Sequence, residues 1–168
     1  ELPPSSESRL LARVHEIMKD KDLLLSIDLH NNTVLNAHYG CGNRLDPRYL
    51  RLALFFSRTV VYFKRPRGVQ SIAFAELCPA VTVECGKVGD RRGVKEAANL
   101  IETCLTLRSL SEEPVDDRDI DLFQTAAQVK IPSQLTFSFD DEPADINFSH
   151  ELEYMNFREI TAGTPFGD

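Results

Sequence analysis

The sequence has no apolar run approaching the roughly 20 residues that a membrane-spanning helix needs, and its opening Glu1-Leu2-Pro3-Pro4 is acidic and proline-bearing, unlike a signal peptide. Basic residues are in the minority. With 19 Lys and Arg against 26 Asp and Glu the net charge is -7, which argues against a general nucleic-acid binder, because neutralising phosphates takes a basic face. The four cysteines, Cys41, Cys78, Cys85 and Cys104, form no Cys-x-x-Cys pair and lie in or beside apolar segments, so buried, reduced thiols in a cytoplasmic protein are expected. His38-x-x-Cys41 could supply two zinc ligands, but the second paired motif that structural zinc sites normally show is missing. No internal repeat or low-complexity segment is visible. What remains is ordinary: 168 residues, 42% hydrophobic and 27% charged, enough for one buried core or a core with a small appendage.

The run Leu23-Leu24-Leu25-Ser26-Ile27-Asp28-Leu29-His30-Asn31-Asn32-Thr33 is almost unbroken in its apolar character until it reaches Asp28, His30 and two asparagines. This predicts a strand buried on both faces that surfaces at its C-terminal end. Asp28 and His30 project to the same face of such a strand. Ala80-Val81-Thr82-Val83 repeats the design, ends in Glu84 and is turned away by Cys85-Gly86-Lys87. Open α/β sheets bind ligands outside the carboxyl ends of their strands, so His30 and Glu84 mark a candidate site.

In chain order, Ser5 or Ser6 caps a predicted helix to about Asp20, with Leu10, Leu11, Val14, Ile17 and Met18 on its apolar face and His15 on its solvated side. The His30 strand follows, then a polar loop from Asn32 to Asn43. Asp46-Pro47 opens a helix to about Ser57; Thr59 to Phe63 reads as a strand, Ser71 to Leu77 as a short helix, and Gly93 to about Leu110 as a long amphipathic helix. This order predicts an α/β fold over residues 1–110, with a mostly parallel or mixed sheet covered on both faces. Residues 111–118 are acidic, contain Pro114 and read as a linker. Within residues 119–168, Leu122 to Val129, Leu135 to Phe139, Ile146 to Phe148 and Asn156 to Ile160 are short strand candidates of a small β domain, with Phe137, Phe139, Phe148 and Phe157 as core. A first helix without a preceding strand, and a β domain ending mid-turn, lead us to expect an internal piece of a longer protein.

Two stretches, Ile27-Asp28-Leu29-His30-Asn31-Asn32-Thr33 and Pro79-Ala80-Val81-Thr82-Val83-Glu84-Cys85-Gly86-Lys87, resemble the succinylglutamate desuccinylase/aspartoacylase family, zinc amidohydrolases related to the zinc carboxypeptidases. The resemblance implies a zinc-carboxypeptidase-like fold, with His30 as a zinc ligand, Asp28 beside it, Asn31 lining the site and Glu84 as general acid and base. Zinc would lower the pKa of its bound water, and Glu84 would take that water's proton and return it to the leaving amine. The implied substrate is a small acidic N-acyl amino acid, and Arg44, Lys64 and Arg67, from the basic clusters 44–51 and 64–67, are candidates to read its carboxylates. A homo-oligomer is compatible with this reading. Nucleic acid and membrane are not expected as partners.

The departures are specific. The family's other two zinc ligands come from a His-x-x-Glu motif followed by an Asn-Arg pair, and no such motif precedes Ser5 here; Asn43-Arg44 lies after the His30 strand. Where aspartoacylases carry a substrate-binding arginine, this chain reads Gly68-Val69-Gln70-Ser71. One histidine and a carboxylate do not complete three protein ligands, so this polypeptide alone is expected to hold zinc poorly. Two further readings stay open: a non-catalytic carboxylate-binding or interaction module of the same fold, and a zinc carboxypeptidase acting on peptides.

Overall fold

The computed structural model describes residues 6–33, 36–65, 69–140 and 142–168. Arg67 therefore lies outside the described residues. Helix α1 (Ser6–Met18) leads into strand β1 (Ser26–Asn32), followed by β2 (Tyr39–Gly42), α2 (Pro47–Leu54), β3 (Thr59–Tyr62), α3 (Gln70–Phe74), β4 (Ala80–Lys87) and α4 (Arg91–Thr106). Strand β5 (Asp121–Gln124), the pair β6 (Phe137–Ser138) and β7 (Ile146–Asn147), and a 3-10 turn at Leu152–Met155 complete the chain.

The main sheet has the order β1-β4-β2-β3-β5. The pairs β1/β4, β2/β3 and β3/β5 are parallel, and β2/β4 is antiparallel. The expected mixed, mostly parallel α/β sheet is thus present. Helices cover both faces. Leu52 and Ala53 of α2, Phe56 just after it, and Leu100 and Cys104 of α4 bury Val81 and Val83 on one face, while Phe74 and Ala75 pack with Ala80 on the other, where Met18 of α1 joins them. Local chemistry sets the helix starts: the Asp46 carboxylate accepts from the Arg48 amide with Pro47 in the first turn, and Asp90 accepts from the Arg92 amide.

Several expectations need correction. The polar loop after β1 contains β2, a strand too short and glycine-rich to show a period; Gly40 belongs there because a Cβ on it would meet Ala53 at 2.9 Å. Strand β1 is an edge rather than a strand buried on both faces, and Leu24 and Leu29 are exposed. Strand β4 runs past Glu84 to Lys87, with a register shift opposite His30 and Asn32. On α1 the inward face carries His15, whose ring meets the edge of Phe74, while Leu10, Val14 and Ile17 point outward.

Beyond α4, Asp121–Gln124, expected within the β domain, is instead the outer strand of the main sheet, parallel to β3. The acidic segment before it is held in place: Arg51 donates to the carbonyls of Glu113 and Pro114, and Arg58 pairs with Asp121. Strands β6 and β7 form a separate two-stranded sheet, where Phe137, Phe139 and Phe148 cluster with Phe137 and Phe139 still exposed. Residues 125–129 and 156–160 are not strands. No described helix is long and apolar enough to cross a membrane.

Candidate functional site

The parallel register places His30 directly beside Glu84 and Asp28 beside Thr82. The antiparallel pairing of β2 then sets Tyr39 next to Glu84 and Cys41 next to Thr82. Side chains alternate along a strand, so these six share one face of the sheet. They line a cleft of about 420 Å³ together with Val61, Arg65 and Phe157.

His30 sits between two carboxylates. Its Nε2 is 3.2 Å from Asp28 Oδ2 and its Nδ1 is 3.8 Å from Glu84 Oε1. Asp28 is in turn reached by the Thr82 hydroxyl at 3.5 Å, and the Thr82 and Ser71 hydroxyls are 2.9 Å apart. Ser71 and Thr82 are buried, so the base of the site is a fixed polar chain running from α3 through β4 to β1. Gln70, next to Ser71, donates to Ser26 Oγ.

Glu84 has a second oxygen, Oε2, that is buried and has no hydrogen-bond partner among the described residues. Burial raises its pKa above the ordinary carboxyl value, His30 opposes that shift and the Asp28 charge adds to it. The same wall pushes Tyr39 up to about 12, through burial and then the neighbouring Cys41 and Glu84. Cys41 is likewise pushed up to about 12 by burial and by Glu84, so it is a neutral thiol rather than a nucleophile.

The structure brings together Asp28, His30 and Glu84 and separates the other candidates. Asn31 lines the opposite side of β1, in a groove with Leu29 and α4. Arg44 stacks over Tyr49, 5.5 Å from the ring centroid, and lines a different cavity with Cys78 and Pro79, at the start of β4. Lys64 lies over the Tyr62 ring at 5.8 Å and does not line the cleft. His38 and Cys41 diverge: His38 meets Asp90 at 3.1 Å and stacks on Phe56, away from the cleft that Cys41 lines. They form no shared metal site.

Two contributors went unread as site residues: Tyr39 belongs to the hidden strand β2, and Phe157, expected as core of the β domain, comes from a distant turn. Arg65 belongs to the basic cluster 64–67, within which the sequence gives no reason to prefer it. Phe157 has a φ of 57° and packs on Tyr39 at 4.8 Å and Phe123 at 5.3 Å. It lines the cleft beside Tyr39.

The chain spans 46% of the length of the succinylglutamate desuccinylase from Chromobacterium violaceum, whose crystal structure it matches over 82% of its own residues with a TM-score of 0.54 and 17% identity. It has that enzyme's fold. No family model matches the sequence, and no curated protein matches it. Against the zinc chemistry of a desuccinylase-like fold, the residues here do not suffice: among the described residues no group of three His, Cys, Asp or Glu side chains is arranged to hold a metal. Both ring nitrogens of His30 already face carboxylates.

Proposed function

We propose that this chain contributes the proton-transfer part of a hydrolase site that splits the amide bond of small acidic N-acyl amino acids, in a cytoplasmic setting. Glu84 is the general base and acid. Asp28 orients His30, which would be one ligand of a zinc ion completed by residues outside the described ones. The observation that carries this reading is Glu84: one oxygen is beside His30, the other is buried without a partner, and its affinity for a proton is raised.

A carboxylate in that state takes a proton from water more readily than a solvated one. As the water oxygen adds to the amide carbon, Glu84 accepts the water proton; as the C–N bond breaks, it returns that proton to the departing nitrogen. The products are a carboxylate and an amino acid. Among the described residues Arg65 is the one arginine or lysine lining the cleft, and it supports a substrate that brings its own negative charge.

The test is release of glutamate from N-succinylglutamate and of aspartate from N-acetylaspartate, by this chain and by the longest polypeptide of its reading frame, with zinc content measured on each. Zinc-dependent release that Glu84→Gln lowers by about 100- to 10,000-fold, with zinc retained, is the expected result. Absence of both zinc and turnover in both polypeptides sinks the proposal. The lack of a three-ligand cluster among the described residues favours a second reading, a carboxylate-binding module. That reading requires the same compounds to bind in the presence of a chelator and remain uncleaved.

A further inference from the structure

The cleft beside His30 and Glu84 is larger than an acetyl or succinyl group needs. Its volume of about 420 Å³ lies in the range that encloses ligands of drug size. The far wall is apolar: Tyr39 on β2, Val61 on β3, Phe63 just past it, and Phe157. In the sheet order, β4 separates β2 and β3 from β1, so this wall stands apart from the β1 side of the sheet.

Phe157 anchors the wall. Among the described residues it is the one non-glycine residue with a positive φ, 57°. Bulky side chains rarely adopt that conformation, and it persists where neighbours over-determine it, typically at ligand sites. Its ring is held between Tyr39 at 4.8 Å and Phe123 at 5.3 Å, so the aromatic surface it gives the cleft is fixed. Charge restricts what lies against it. Asp28 and Glu84 already line the cleft, with Arg65 as the one arginine or lysine among the described residues. A succinyl tail would bring a further carboxylate against Tyr39 and Phe157, and a charge buried there without a partner is costly.

We propose that Tyr39, Val61, Phe63 and Phe157 form an acyl-group subsite that takes a flat, uncharged aromatic acyl group, with the acidic amino acid turned toward Arg65. The substrate class is then an N-arylacetyl or N-aroyl derivative of an acidic amino acid, and the products are an aromatic carboxylic acid and that amino acid. Selectivity comes from the rings: Tyr39 and Phe157 offer an aromatic guest offset or edge-to-face contacts that a linear chain does not make. The subsite rests on the hydrolase reading for the position of the amide bond.

Isothermal titration of the longest polypeptide of the reading frame, with a chelator present so that no amide is cleaved, tests it. N-phenylacetylglutamate is expected to bind about 10- to 100-fold more tightly than N-acetylglutamate, from the apolar area covered and the ring contacts. It should also bind more tightly than N-hexanoylglutamate. Phe157→Gly suits the positive φ, and should bring the phenylacetyl compound down to the affinity of the acetyl one, with circular dichroism checking the fold. The ligand series needs no variant, so it decides the matter if Phe157→Gly unfolds. Equal affinities for the phenylacetyl and acetyl compounds, or binding of neither, overturn the proposal. So does tighter binding of N-acetylphenylalanine, which would put the ring on the amino acid. Turnover with zinc separates the two readings: phenylacetyl preference without cleavage sinks the hydrolase and keeps the subsite, whereas cleavage of N-acetylaspartate without that preference does the reverse.

Discussion

Gly93 in α4 lies so close to β4 that a Cβ placed on it would sit 1.7 Å from the carbonyl oxygen of Cys85, the residue after Glu84. The first turn of α4 therefore rests directly on the backbone that carries the candidate base.

Gly93→Ala is expected to destabilise the chain. Elsewhere in a helix this exchange would add up to about 1 kcal/mol through the unfolded state; here the overlap with backbone reverses the sign and costs about 1–3 kcal/mol, as overpacking does. Urea titration measures the loss. An unchanged or higher midpoint would contradict the close approach.

Leu100 is fully buried between α4 and the Val81, Val83 face of the sheet. Leu100→Ala should cost about 2–5 kcal/mol, with the spread set by how far α4 can settle toward β4. The contrasting change is Leu105→Ala on the same helix, at a position 81% exposed, which should leave the midpoint nearly where it was.

Glu84 binds its proton more tightly folded than unfolded. The folded state then carries the extra proton between the unfolded and folded pKa values, so stability from this group is full below the unfolded value, 4.5, and is lost as pH rises through the folded one. Glu84→Gln removes that loss. The variant should melt higher than the parent at pH 7 and close to it at pH 4, in thermal scans at both values.

Asp90 behaves in the opposite sense. Its pKa is lowered, first by the hydrogen bond from His38 and then by the Arg92 amide, so its contribution is present above the ordinary value of 3.8 and is lost as pH falls through the folded pKa. Asp90→Ala should lower the melting temperature at pH 7 by removing the α4 cap and the tie to His38, and the gap to the parent should close in acid. A gap that persists undiminished at pH 2 would assign the effect to packing rather than to the charge.

Much of the site was legible because strand chemistry is local. Asp28 and His30 share a face by parity alone, and a β-branched run leading into a glutamate marks a strand that carries a carboxylate, although β4 continues to Lys87. The helix start at Asp46-Pro47 is likewise written in the capping residues, since a cap satisfies amides within its own turn, whereas α4 starts at Arg91 under the Asp90 cap, ahead of the Gly93 expected from its apolar spacing. Proximity between His30 and Glu84 could be expected from two strand ends, but not their register.

The remainder depended on pairing between distant segments, for which one sequence carries little signal. Tyr39–Gly42 is too short to show a period, and it becomes a strand because β3 and β4 on either side satisfy its backbone. The basic residues looked alike as a list; only the fold sends Arg51 and Arg58 to anchor the acidic segment, Arg44 to the far end of β4 and Arg65 to the cleft. A side chain's type sets what it can bind, and that much the sequence determined by itself: an α/β chain with Asp28, His30 and Glu84 on two strands. Tertiary structure alone decided which partner each one met, placed Phe157 over Tyr39, and left β1 at the edge, because these follow from contacts among residues far apart in the chain.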